Sequence, residues 1–266
     1  MFDSAQKWCT NVFHPFAKEF QLKKFSLKHQ PIDDFAKSQW QKGSRSLCWL
    51  IYRWLLAAFF IAVVCDTMIN LFYAGKWFIY LTAWGFFLCM LTSLYGAIIV
   101  SIYYWRPHDF AAHPIVFKMY WVSYWTTLVL ATVITLVYWS LLYPYDKSGV
   151  SLTYNLLGHA SNSILMVLDH MLVAFPTRIF HFVYPIGMGV IYVIFSLIYY
   201  FAGGVDTHGD HYIYTILDWA QPETAVITII ICFALLAIMS FLLFGLYKLR
   251  CFIYRKINKS VLVLQV

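Results

Sequence analysis

Charge is scarce in this chain. Only 12% of its 266 residues are Asp, Glu, Lys or Arg, where a soluble domain carries about a quarter. Too few charges remain to cover a water-facing surface, which excludes an ordinary soluble fold. The cysteines at 9, 48, 65, 89, 232 and 251 are scattered, and none falls in a segment expected outside the cell. A disulfide framework is therefore not expected. The first 46 residues are polar and basic, without the apolar core of a cleavable signal peptide. There is no Gly-rich phosphate loop and no G-x-S-x-G elbow. No internal repeat is visible, and no charged path runs through the apolar stretches, which argues against a transporter.

What the chain has in abundance is apolar surface. Hydrophobic residues make up 62% and aromatics 20%; Trp and Tyr concentrate at membrane interfaces. A spanning helix needs roughly 20 apolar residues. Six stretches qualify, at 50–72, 78–104, 119–142, 152–174, 182–202 and 225–247. The expected fold is all-α: a polytopic transmembrane bundle of about six spans. Its parts are an N-terminal tail (1–46), a transmembrane domain (47–247) and a C-terminal tail (248–266). The N-terminal tail mixes Trp8, Phe13, Phe16, Phe20 and Phe25 with lysines and reads as a solvated or surface-lying leader.

Six spans put both termini on one side. Seventeen of the nineteen basic residues fall there, leaving only Lys76 and Lys147 opposite. The positive-inside rule makes that side cytosolic. The far side collects Asp146, Asp206, Asp210, Asp218 and Glu223. The net charge of +7 then needs no nucleic acid, since basic tails beside a bilayer meet anionic lipid headgroups. The partners expected are the bilayer itself and those headgroups. The plasma membrane is the expected location, with the endoplasmic reticulum as the alternative.

Polar groups inside spans need a partner, a cavity or a function. Asp66, Thr82 and His159 all lie about 7–11 Å from the outer interface by the helical rise, with Asn162 a little deeper. They read as one pocket or as packing hydrogen bonds. His159, Asn162, Met166 and Asp169 share the three-and-four spacing of one helix face, which predicts that this face points into the bundle. The loop at 206–211 has metal-ligand residue types in Asp206, His208, Asp210 and His211. It lacks paired cysteines or two histidines at helical spacing, so it reads as a solvated loop. No metal or cofactor is expected.

Three stretches carry a family resemblance. Residues 38–60, the run from His159 to Tyr200, and 212–219 after Gly203-Gly204 resemble the insect rolling-stone family, across most of the chain. That resemblance implies a multi-pass membrane protein tied to myoblast fusion at the cell surface. A more distant likeness is to the androgen-induced membrane hydrolases, which cleave fatty-acid esters of hydroxy fatty acids with an intramembrane Thr and His. Gly75-Lys76-Trp77 through Leu81-Thr82 is similar to their threonine segment and puts Thr82 in the nucleophile's place. Gly158-His159-Ala160-Ser161-Asn162-Ser163 corresponds to their histidine motif. In one alignment His159 matches the first histidine and Asn162 falls on the catalytic one; a one-step shift puts His159 on the catalytic one.

The second likeness implies a fatty-acyl lipid ligand. Thr82 would be the nucleophile, His159 the base and Asn162 the oxyanion donor. Asp66 or Asp169 would orient the imidazole. Whether the chain is an enzyme stays open on the sequence.

Overall fold

A computed structural model describes residues 19–108, 110–143 and 152–263. Trp8, Phe13 and Phe16 lie outside the described residues, as does the loop with Pro144, Asp146, Lys147 and Gly149. Seven α-helices are described: α1 (Leu47–Leu71), α2 (Leu81–Trp105), α3 (Pro114–Val137), α4 (Leu152–His159), α5 (Ser161–Leu172), α6 (Val183–Phe201) and α7 (Pro222–Val263). Among the described residues, the one β-contact outside them is an isolated bridge between Ser38 and Val173.

Five helical segments are long and apolar enough to cross a membrane. They are α1, α2, α3 with the π-turn Tyr138–Leu142, α6 with the turn Ile179–Phe182, and the first 37 residues of α7. The expected fourth span is divided into α4 and α5, of 8 and 12 residues, each shorter than the roughly 20 that a crossing takes. The division has a local cause. Ser163 N bonds the Asn162 side chain at 2.8 Å, and the Thr135 hydroxyl donates to the His159 carbonyl. Two side chains thus hold the donor and acceptor that a continuous helix would join to each other.

α3 is the central helix. It is buried on all sides from Tyr124 to Ile134, as an apolar-all-round helix should be. It packs against α2, α5, α6 and α7. The Thr92 hydroxyl stitches α2 to α3 through Ser123 (2.7 Å) and Thr127 (2.9 Å). Between α1 and α2 the chain reverses through Tyr73, Ala74 and Gly75, all with positive φ (43°, 56° and 90°). Glycine is the residue that takes this conformation without strain.

Residues 19–46 lie on the surface of the bundle, with Phe35 and Ala36 buried and most of the rest exposed or half-exposed. Phe35 is buried between Phe117, Trp121 and Phe175. Gln39 N donates to the Leu172 carbonyl at 2.8 Å, and Ala174 N to that of Lys37 at 3.0 Å. The guanidinium of Arg178 donates to the carbonyls of Ser26 and Lys28. The segment closes the basic end of the bundle and supplies partners for the carbonyls at the end of α5, where helix acceptors are otherwise orphaned.

The C-terminal basic stretch is likewise part of a helix. α7 runs 42 residues, about 63 Å, because no Gly or Pro interrupts 248–263. At the acidic end, residues 203–221 fold back on the bundle. The buried Asp206 accepts from His208 N (2.8 Å) and Asp210 N (2.9 Å), and Lys76 donates to its carbonyl. His208, Gly209, Asp210 and His211 are exposed, as expected of a solvated loop, while Asp206 is buried and ties the turn. Among the described residues, no group of three or more His, Cys, Asp or Glu is placed to hold a metal.

Candidate functional site

The strongest polar feature inside the bundle joins α1 to α5. Arg53 Nη1 donates to both carboxylate oxygens of Asp169, at 2.8 and 2.9 Å, and both side chains are 1% exposed. Arg53 Nη2 donates to the Tyr120 hydroxyl at 2.6 Å. The phenols of Tyr52 and Tyr124 also face the carboxylate. A buried carboxylate is tolerable only when paired and hydrogen-bonded, and here one guanidinium supplies both. Gly96 on α2 makes room for it. A Cβ there would lie 1.7 Å from Arg53 Nη2 and 2.7 Å from the Tyr120 hydroxyl, so only glycine lets the guanidinium cross α2.

A second buried guanidinium lies one turn on. Arg250 of α7 donates to the His170 carbonyl and, at 2.9 Å, to that of Phe175. A cation here complements the C-terminal end of α5, where the helix dipole is negative. The His170 ring reaches the Leu243 carbonyl at 3.1 Å.

The expected polar face of α5 is buried: Asn162 and Asp169 at 0% exposure and Met166 at 1%. The residues expected in one pocket are spread over several places. Asp66 is exposed on α1, and Asn70 on the same helix donates to its Oδ1 at 2.9 Å. The ring of His159 stacks on Tyr138 with centroids 3.4 Å apart. Asn162 Oδ1 lies 3.2 Å from the Thr135 hydroxyl, which bridges it to the His159 backbone. Asp169 is committed to Arg53.

Thr82 lines a cavity of about 110 Å³ between α2, α3, α6 and α7, whose lining includes none of Asp66, His159, Asn162 and Asp169. Its walls are apolar, from Leu130, Val133, Val137, Phe233 and Leu236 among others. At its loop end the Tyr214 hydroxyl accepts from Leu81 N at 2.9 Å. Burial raises the pKa of the Tyr214 phenol, which keeps it a neutral cap on the first turn of α2. Tyr192 donates to the Ile79 carbonyl at 2.9 Å beside it.

The arrangement is a scaffold with an apolar cavity, and it defines the class: a polytopic, all-helical integral membrane protein built around a buried ion pair. Within that class the chain belongs to the rolling-stone family. The family model described as "Protein rolling stone" matches residues 6–264. Protein rolling stone of Drosophila melanogaster is 37% identical over 246 residues, covering 88% of this chain and 90% of that protein. No solved structure matches.

Sequence reasoning missed Arg53 as a site residue. It stands seven residues into an apolar helix, and a cation so placed needs a carboxylate partner. That signal calls for an acidic partner, and Asp169 supplies it.

Proposed function

We propose that this chain acts in cell–cell fusion at the plasma membrane, myoblast fusion in particular, with its basic side in the cytosol. The observation that carries the reading is the likeness to Protein rolling stone over nine-tenths of that protein's length; fusion is what the family resemblance implies. The packing is consistent with a structural role. Its buried charges are spent on joining helices, Arg53 to Asp169 and Arg250 to the end of α5. The test is removal of the protein from muscle precursors. Unfused precursors, restored by the wild-type chain, are expected; normal fusion without the protein would contradict the reading.

A second reading, hydrolysis of a fatty-acyl ester, is favoured by one observation: Thr82 lines an apolar cavity. Against it stand Asp169, held by Arg53, and His159, whose ring stacks on Tyr138 and does not line the cavity. The protein purified in detergent and offered a fluorogenic acyl ester decides. Activity lost in both Thr82→Ala and His159→Ala, at unchanged expression, would establish it.

A further inference from the structure

Three cations at the basic end of the bundle gather around one carboxylate. Glu19 Oε1 lies 3.0 Å from Lys248 Nζ on α7, and Glu19 Oε2 lies 3.7 Å from Lys24 Nζ. The Arg178 guanidinium feels the same negative charge. It is fixed in place by the Trp121 ring, 4.8 Å beneath it, and by the carbonyls of Ser26 and Lys28, to which it donates. Among the described residues, Lys24 and Lys248 form ion pairs only with Glu19, and Arg178 forms none. Three positive charges therefore share a single negative one.

Two spanning segments place this cluster at a membrane face independently. Arg178 immediately precedes the segment Ile179–Phe201. On α7 no charged residue lies between Glu223 and Lys248. That run rises about 37 Å, against a hydrocarbon core of about 30 Å, so Lys248 stands at headgroup depth. The neighbours suit an interface. Phe20 and Phe25 are 57% and 38% exposed. Both close on Phe180, Phe25 stacked at 4.5 Å and Phe20 edge-on at 6.1 Å. Exposed aromatic rings beside cations at this depth are suited to the upper acyl chains and the headgroups.

The charge count selects the ligand. A carboxylate brings one negative charge to the three cations. A phosphomonoester brings about 1.5 to 2 at neutral pH, with three acceptor oxygens, and both lysine and arginine bind phosphate. The Lys24 and Lys248 side chains are 32% and 31% exposed and that of Glu19 only 13%. A headgroup thus reaches both lysines once Glu19 moves aside.

We infer that Lys24, Arg178 and Lys248 form a site for the phosphomonoester headgroup of an anionic membrane lipid, with Glu19 as its internal competitor. Basic segments beside a bilayer attract anionic headgroups in general; this site adds a fixed place, a preferred headgroup charge and a carboxylate that has to yield. It rests on the basic end lying at a membrane face and not on the fusion reading. The exposed rings of Phe20 and Phe25 favour a lipid over a free phosphate of the same chemistry.

The test uses the full-length protein in nonionic detergent, titrated with the dioctanoyl forms of phosphatidic acid, phosphatidylserine and phosphatidylcholine. Native mass spectrometry counts the bound lipid. Phosphatidic acid is expected to bind several-fold more tightly than phosphatidylserine, whose phosphodiester cannot take a second charge, and phosphatidylcholine most weakly. The double variant Lys24→Gln/Lys248→Gln is expected to weaken phosphatidic acid binding about tenfold. Glu19→Gln is expected to tighten it about threefold. Asp33→Asn makes the same charge change in the same segment and is expected to leave it unchanged. Equal affinity for phosphatidic acid and phosphatidylcholine, or full affinity in the double lysine variant, would overturn the site. An equal gain in Asp33→Asn and Glu19→Gln would reduce the effect to net charge and overturn the role of Glu19. Glycerol 3-phosphate binding as tightly as dioctanoyl phosphatidic acid would assign the site to a free phosphate and overturn the lipid.

Discussion

Arg53 and Asp169 are 116 positions apart and meet in a two-pronged ion pair that is 1% exposed on both sides. The pair joins the first spanning helix to the helix that ends against the N-terminal segment. It holds α1, α3 through Tyr120, and α5 in one register.

The first prediction concerns that pair. Asp169→Ala leaves a buried guanidinium without its counterion, which costs about 3–5 kcal/mol. A large drop in melting temperature in detergent is expected. The double variant Arg53→Met/Asp169→Leu removes both charges and is expected to recover most of the loss, because apolar replacement of a whole buried pair is near neutral.

The second concerns Gly96. Gly96→Ala drives a methyl into the guanidinium of Arg53, and overpacking of this kind costs about 1–3 kcal/mol. In an Arg53→Met background the same substitution is expected to cost less. Thermal melts of the four-member cycle measure that coupling; equal costs in both backgrounds would contradict the close approach.

Much of this arrangement was legible beforehand, and the reasons for the rest are physical. Five of the six expected stretches coincide with helices long and apolar enough to span, because apolar run length needs no knowledge of partners. The inward face of α5 follows from the spacing of Asn162, Met166 and Asp169. Arg53 was counted with the basic flank because its partner lies 116 residues away, beyond any periodicity. The break at Ala160 depends on Thr135 from another helix. How residues 19–46 dock was not legible because their attachment runs largely through backbone carbonyls, as with Ser26, Lys28 and Leu172, which leave no pattern in side-chain type. The cavity is a shortfall in packing among four helices, and no local sequence signal reports one.

The third prediction follows from Arg250. Arg250→Met strips two buried carbonyls, of His170 and Phe175, of their donor. Each such orphan costs about 1–3 kcal/mol. Lower thermal stability is expected, together with faster proteolysis of residues 19–46, which dock on the same end of α5.

The fourth concerns orientation. Epitope tags at residue 3 and after residue 260 are expected to be protected in intact cells, and a tag at 208 accessible. A protected tag at 208 would reverse the assignment made from the basic residues.

The most direct measurement of the functional account is rescue of fusion in muscle precursors that lack the protein. With matched surface expression, Thr82→Ala is expected to restore fusion as well as the wild-type chain does. Failure of Thr82→Ala at normal surface levels would contradict a non-hydrolytic role in fusion.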